Sequence, residues 1–306
     1  MDRIVVIANP VASQFTGGSH RDVMAQLARS HDVDAVWPGS APEAATAAAE
    51  AVASGASIVV AMGGDGIVHH VSQALVGSRA SLGIVPTGTT NVVARLFDIP
   101  FKPARAARLI GSGQTPTTVG TVRLTLARGD TETVHHAVFA CGFGLDAEVV
   151  RVADSDPYRK YRFGSIHYAR TALGVGLGRF PSTKPHVAIE SEGRESLATT
   201  ALIQFREAYT YFGKLELRIV DEPPDPMAAL IVTRLRRRRV PHIVFNAVTH
   251  RDLARIEGFE IWEDLKTITM SADPPVAVQA DGESLGMVDG GSIEWSPDSL
   301  LVLAGS

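Results

Sequence analysis

Residues 63–66 read Gly63-Gly64-Asp65-Gly66 and follow directly on the apolar run Ile58-Val59-Val60-Ala61-Met62. A short run rich in β-branched residues predicts a buried strand. Three glycines at its exit let the main chain come close to a ligand, with successive N–H groups turned toward an anion. Asp65 stands among them, where a carboxylate would repel a phosphate unless it held a metal or took a proton. The combination points to phosphoryl transfer from a nucleotide; a plain strand-to-helix loop is the alternative.

The elements needed to position such a turn are legible nearby. Ser81-Leu82-Gly83-Ile84-Val85 predicts a second short strand, running into Pro86-Thr87-Gly88-Thr89-Thr90-Asn91. There Pro86 stops the strand, Gly88 permits a tight turn, and Thr89, Thr90 and Asn91 offer hydroxyl and amide groups at a helix start. Arg3-Ile4-Val5-Val6-Ile7-Ala8 predicts a third strand, ending in Asn9-Pro10. Three strands ending in polar, turn-forming residues would gather those ends at the carboxyl edge of a parallel sheet, the edge at which open α/β sheets bind ligands.

Strand–helix alternation continues to about residue 110. The Ala-rich segment Pro42–Ala53 predicts a helix capped by Ser40 with Gly55 beyond its end, and further helices are expected over Val92–Phe97 and Lys102–Ile110. Gly111-Ser112-Gly113-Gln114-Thr115-Pro116 reads as a linker. Beyond it the apolar period shifts toward two, with strands expected at Thr121–Leu126, Val134–Ala140, Val187–Ile189, Leu215–Val220, Ala229–Thr233 and Thr267–Met270, interrupted by one helix over Tyr158–Leu177. The expected organisation is an α/β domain over residues 1–115, with a parallel sheet flanked by helices, and a mostly antiparallel β-sandwich domain over 116–306.

These motifs, in this order, resemble the diacylglycerol kinase catalytic-domain family, bacterial lipid kinases related to sphingosine and ceramide kinases. The family pattern is an early Asn-Pro, a Gly-Gly-Asp-Gly-Thr turn, a Pro-x-Gly-Thr-x-Asn turn and a late Asp-Gly-Glu. Here these are Asn9-Pro10, Gly63–Gly66, Pro86–Asn91 and Asp281-Gly282-Glu283, spanning nearly the whole chain. The resemblance implies an NAD kinase/diacylglycerol kinase-like fold and ATP with Mg2+ as cofactors. It assigns nucleotide binding to Asn9, Gly63, Gly64, Asp65, Gly66, Thr87, Gly88, Thr89 and Asn91. Catalysis falls to Asp65 and to Glu283 as general base, with Asp281 as support for the turn; alone, Asp-Gly-Glu reads as a hairpin turn. In Gly142-Phe143-Gly144-Leu145-Asp146-Ala147-Glu148, Asp146 matches an acid near the acceptor's polar head; a helix N-cap is the alternative. Metal binding is implied at Asp65 and at Asp225, in Asp221-Glu222-Pro223-Pro224-Asp225-Pro226-Met227, where a solvated acidic turn is the alternative.

The chain departs from the pattern where Ile67 replaces the Thr after Gly-Gly-Asp-Gly and His69 replaces an Asn. After Asn9-Pro10 comes Val11-Ala12-Ser13 instead of a small Gly-rich loop, with Gly17-Gly18 following shortly. The expected activity is transfer of the ATP γ-phosphate to a hydroxyl of diacylglycerol or a related lipid alcohol in a cleft between two domains. NAD kinase, which shares the Gly-Gly-Asp-Gly turn, is the rival enzyme reading. A pseudokinase that binds nucleotide or lipid without turnover is the rival from another class.

Bulk properties fit a folded, soluble enzyme. The 306 residues are 45% hydrophobic and 20% charged, enough to bury a sizeable core. A net charge of −4 argues against nucleic acid as a partner. The lone Cys141, in the apolar stretch Val138–Gly142, predicts a buried thiol and a reducing compartment. The N-terminus opens as a strand without a leader pattern, and no apolar run approaches a membrane span. A cytoplasmic location is therefore expected, and a homodimer is compatible with the sequence. The runs Arg234–Arg239 and Tyr158-Arg159-Lys160-Tyr161-Arg162-Phe163 would suit peripheral attachment to the inner membrane face, where a lipid substrate resides; a solvated polar face is the alternative. No Walker loop, His-Glu-x-x-His or Gly-x-Ser-x-Gly motif occurs. The adjacent pairs His69-His70 and His135-His136 point apart on a helix or strand, which disfavours a shared metal.

Overall fold

The computed structural model describes residues 2–154, 184–213, 215–236, 243, 246 and 253–305. The helix expected over Tyr158–Leu177, the aromatic–basic segment within it and Arg237–Arg239 lie outside these residues. The chain forms two compact units, Met1–Thr121 with Ser296–Ser306, and Val122–Trp295.

The first unit alternates β1 (Arg3–Ala8), α1 (Gly17–Leu27), β2 (Asp32–Val36), α2 (Ala41–Ala53), β3 (Ile58–Gly63), α3 (Asp65–Leu75), β4 (Ser81–Pro86), α4 (Val92–Leu96) and α5 (Pro103–Ile110). Its strands are parallel in the order β4-β3-β1-β2. The inner strands are buried almost throughout, as expected of a parallel sheet covered on both faces. β2 alternates exposed and half-buried residues at the sheet edge, which explains why its Asp-Val-Asp-Ala-Val sequence carries no strong strand signal.

α2 follows its expected course. Ser40 accepts the Glu43 N–H, and Ala44, Ala48 and Ala51 form its buried stripe. α1 is not among the helices expected from the sequence, and Gly17-Gly18 open it. The cause is a capping box: the Thr16 side chain accepts the Ser19 N–H at 3.0 Å while the Thr16 N–H donates back to Ser19 Oγ at 3.2 Å.

The second unit is built on antiparallel ladders: β5 (Thr117–Arg128), β6 (Thr131–Ala137), β7 (Ala140–Phe143), β8 (Val187–Ser191), β9 (Arg194–Ala198), β10 (Thr200–Gln204), β11 (Thr210–Phe212), β12 (Leu215–Leu217), β13 (Met227–Val232), β14 (Phe259–Leu265), β15 (Thr267–Ala280) and β16 (Glu283–Val302), with α6 (Leu145–Asp154) after β7. The main order is β14-β13-β10-β7-β15-β16, with β5–β6 and β8–β9 as attached hairpins and β11–β12 separate. Leu124, Phe143, Ile203, Met227, Trp262 and Ile268 belong to its buried apolar core. The end of β16 belongs to the first unit, where Leu301 and Val302 pair in parallel with Ser81 and Leu82 of β4.

Two strand expectations change. Val134–Ala140 is not one strand, because β6 ends at Ala137 and β7 begins at Ala140; the amides between turn to a carboxylate described below. Leu215–Val220 is a strand only to Leu217, after which the Ile219 N–H donates to the buried Gln204 side chain at 2.6 Å. Cys141 is fully buried, and burial, reinforced by the Asp281 and Asp146 carboxylates, pushes its thiol well above the ordinary range.

Candidate active site

In the first unit β3 and β4 run in register, Met62 against Val85 and Gly63 against Pro86, so their two turns leave the sheet at one level. The Thr87 N–H donates to the Gly63 carbonyl at 2.8 Å. Gly64 and Gly88 approach so closely that a Cβ on Gly88 would stand 2.5 Å from the Gly64 Cα; only glycine permits that contact. Asn91 is buried in the left-handed region at φ 50, which Asn tolerates. Its side chain closes the second turn, with Oδ1 accepting the Gly88 N–H at 3.0 Å and Nδ2 donating to the Gly88 carbonyl at 2.9 Å.

Asp65 opens α3, where a carboxylate complements the helix dipole. Its Oδ1 also accepts the Val93 N–H of α4 at 3.1 Å, tying the two helix starts together. The Asn9 loop joins the same edge. Asn9 Oδ1 accepts the Val11 N–H at 3.0 Å, and the Gln14 N–H donates to the Thr87 carbonyl at 2.8 Å. Ser13 and Thr89 share a hydroxyl–hydroxyl bond of 3.0 Å. Asn9, Gly63–Gly66 and Thr87–Asn91 are thus brought together.

One detail bears on what this edge would hold. The Thr87 hydroxyl is buried and has no hydrogen-bond partner. Buried polar groups are nearly always paired, and a phosphate oxygen is the kind of acceptor that would satisfy it. Ile67 is 6% exposed and packs against Gly63, where a Cβ would meet its Cγ2 at 2.5 Å. The position is therefore used for apolar packing against the turn and offers no hydroxyl there. His69 is buried as well, edge-on to the His70 ring at 5.2 Å.

The second unit carries the acids. Asp281 and Gly282, at φ 53 and 78, form a two-residue hairpin turn joining β15 to β16. Glu283 follows, half-buried at the start of β16. The Asp281 carboxylate is buried and accepts the N–H groups of Val138 and Phe139 at 2.8 Å and of Ala140 at 3.3 Å. This amide nest is what breaks the β6–β7 run. Asp281→Ala would strand those buried donors and is expected to cost roughly 3–5 kcal/mol of stability; urea unfolding measures it, and a loss below about 1 kcal/mol would refute the nest's role. Arg206 donates to the Val138 carbonyl at 3.0 Å, and burial lowers its pKa to about 10.

Asp146 lies in the first turn of α6. It is not the helix cap, because α6 already begins at Leu145 and the Glu148 N–H donates to the Gly144 carbonyl at 2.8 Å; the Leu145 N–H is taken by Thr200 Oγ1 at 3.1 Å. Asp146 Oδ2 instead accepts the Tyr209 hydroxyl at 2.5 Å and the Gln279 amide at 2.6 Å. Burial raises the Asp146 pKa, and these two hydrogen bonds oppose the rise. Burial and the neighbouring Asp146 charge push the Tyr209 phenol well above its usual range. Gly142 makes room for the pair, since a Cβ there would stand 3.0 Å from Asp146 Oδ2 and 3.2 Å from the Tyr209 hydroxyl.

Asp225 is exposed on the bend leading into β13. Among the described residues no group of three or more His, Cys, Asp or Glu converges as a preformed metal site. Arg236 pairs with Glu257 at 3.1 Å. Sequence reasoning missed Tyr209 and Gln279. Gln279 had a signal, a polar residue inside the apolar Val276–Ala280 run; Tyr209 had none, because only folding brings its loop to α6.

The first unit is a parallel α/β sheet with two glycine turns joined at its carboxyl edge, the edge at which open α/β sheets bind ligands. The family model for the diacylglycerol kinase catalytic domain matches residues 3–122. The chain is 35% identical over 118 residues to a diacylglycerol kinase of Mycobacterium tuberculosis, a stretch covering 38% of each protein. A Xanthomonas euvesicatoria pv. vesicatoria protein named as a probable lipid kinase, YegS-like, is 30% identical over 221 residues, 66% of this chain and 68% of that one. In fold, a Bacillus anthracis candidate diacylglycerol kinase aligns with a TM-score of 0.72 at 20% identity, over 99% of this chain and 97% of its own. Yeast NADH kinase aligns at 0.54 with 13% identity, over 100% and 84%. The chain belongs to the diacylglycerol kinase catalytic-domain family. Among the described residues no helix is long and apolar enough to cross a membrane.

Proposed function

We propose that this protein transfers the γ-phosphate of ATP to a hydroxyl of diacylglycerol or a related lipid alcohol at a membrane surface. The observation that carries the reading is the joined pair of turns, Gly64 against Gly88, with the buried, unpartnered Thr87 hydroxyl between strand and helix. Backbone N–H groups of the turns and the Thr87 and Thr89 hydroxyls would bind phosphate oxygens, and Asn9 and Asn91 would hold the loops that present them. Asp65 suits Mg2+, which takes hard oxygen ligands and is bound through one or two carboxylates plus substrate phosphates, not by an all-protein cage. When bound, the ion supplies charge neutralisation on the phosphates.

On the acceptor side Glu283 is the general base and Asp146 orients the alcohol. As the lipid oxygen forms its bond to the γ-phosphorus, the bond to the β-phosphate oxygen breaks, ADP leaves, and the hydroxyl proton passes to Glu283. Phosphoryl transfer asks the protein mainly for positioning and charge stabilisation, which is what rigid turns on a sheet edge provide.

The test is transfer of label from γ-32P-ATP with Mg2+ to a total lipid extract, with NAD offered in parallel. Label in lipid supports the reading. Label in NAD would move the protein to the NAD kinase reading, and no transfer despite ATP raising Tm would make it a pseudokinase.

A further inference from the structure

Gln279 links the two acids of the second unit. Its Nε2 donates to Asp146 Oδ2 at 2.6 Å and to the Tyr209 hydroxyl oxygen at 2.9 Å, while its Oε1 accepts the Gly282 N–H at 2.9 Å. The amide orientation follows from chemistry. The Gly282 N–H can only donate, so the oxygen must face it, and the flipped amide would set an oxygen against a carboxylate. Both Gln279 donors and one acceptor site are used, in a side chain 3% exposed. A buried network of this kind fixes one geometry, because any other leaves groups unsatisfied.

We infer that Gln279 is a positioning residue for the acceptor half of the reaction: it clamps the Asp281–Glu283 turn to Asp146, so that the general base and the substrate acid keep one fixed separation. Tyr209 completes the clamp by holding the same Asp146 oxygen, which leaves Asp146 a single rotamer. The β15–β16 ladder is irregular at the same point: β16 carries an extra residue, Leu285, between the Val278–Gly286 and Gln279–Ser284 pairs, a bulge that bends the strand leaving the clamped turn. The titratable groups packed around the amide are Asp146 on α6, Tyr209 ahead of β11, Cys141 on β7 and Asp281 in the turn, with Arg206 near Asp281. The inference rests on the kinase reading for the roles of Glu283 and Asp146.

Gln279→Leu removes the clamp at similar volume. Its kcat for phosphorylation of dioleoylglycerol in mixed micelles is expected to fall about ten- to a hundredfold, with KM for ATP within about twofold. Gln279→Glu keeps an acceptor for the Gly282 N–H but places a second carboxyl on Asp146. Two carboxyls so close share one proton, so this variant should work best at low pH, where the introduced carboxyl donates as the amide does. Its kcat should fall toward the Leu variant's as pH rises from about 6 to 8, a loss absent from the wild type. Hydrogen exchange at the Gly282 amide gives a readout independent of activity. It should quicken at least about tenfold in Gln279→Leu and stay near wild type in Gln279→Glu at low pH.

Unchanged kcat and unchanged Gly282 exchange in Gln279→Leu would overturn the inference. So would a loss of activity in Gln279→Glu that does not depend on pH, since a general structural defect would produce that. Full activity in Glu283→Gln would instead sink the assignment of the base. If the wild type transfers no phosphate, the kinase reading fails while Gly282 exchange still decides whether the clamp exists.

Discussion

Asp65→Asn is expected to lower phosphoryl transfer about 10²–10³-fold while the fold survives. The substitution separates two duties of one side chain. Asp65 Oδ1 accepts the Val93 N–H at 3.1 Å, and an asparagine oxygen does the same, so the tie from α3 to the start of α4 remains. What is lost is the negative charge, the property needed to hold a divalent cation against phosphate. Thermal unfolding without nucleotide should shift by no more than about 2 °C, the change that ~1 kcal/mol produces in a chain of this size. Asp65→Ala removes both duties and should add a capping loss of ~1 kcal/mol. Steady-state kinetics beside a melting curve checks the pair. Activity within about tenfold of wild type in Asp65→Asn would remove Asp65 from the catalytic set.

The second large effect comes from one methyl group. In Gly88→Ala the new Cβ would stand 2.5 Å from the Gly64 Cα, 2.8 Å from Asn91 Oδ1 and 3.2 Å from the Gly64 nitrogen. The Gly64 atoms are backbone and the Asn91 amide is tied to Gly88 by two hydrogen bonds, so the two turns must separate. Overpacking of this kind costs about 1–3 kcal/mol, and a displacement of ~1 Å in a positioned site costs about 10²-fold in rate. ATP affinity by calorimetry should fall sharply in Gly88→Ala, with a visible drop in Tm. Retained affinity and stability would mean that the contact between the turns is dispensable. Gly55, by comparison, has nothing within 4 Å of a built Cβ, so its requirement is one of backbone angle alone.

These predictions depend on how local pattern and long-range contact divide the site between them. The glycine-turn half of the candidate site was readable because its pattern is local. Gly63–Gly66 and Pro86–Asn91 each follow a short apolar strand, and a parallel sheet brings successive strand ends to one edge without further information. The acidic half was readable only as two separate acids. That Asp281 turns into a nest of the Val138, Phe139 and Ala140 amides, more than 130 residues earlier in the chain, leaves no trace in alternation of hydrophobicity. For that reason Val134–Ala140 read as one strand. α1 was hidden for the opposite reason: Gly17-Gly18 argue locally for a loop, and the Thr16–Ser19 capping box together with burial of Val23 and Leu27 outweighs them.

By itself, the sequence determined the parallel α/β plan of the first region, the antiparallel character of the second, the order of the motifs and the family. The first three rest on periodicity, turn chemistry and spacing within a few residues, and the family rests on the resemblance that the ordered motifs carry. Tertiary structure alone decided that Gly64 and Gly88 touch and that Thr87 is left with an unpartnered hydroxyl. It also decided that Gln279 and Tyr209 converge on Asp146, and that the end of β16 returns to pair with β4. The physical reason is the same throughout. Each of these depends on a contact between residues far apart in the chain, whose energy comes from excluded volume and satisfied hydrogen bonds in a packed interior, and neither quantity is a property of any short window of sequence.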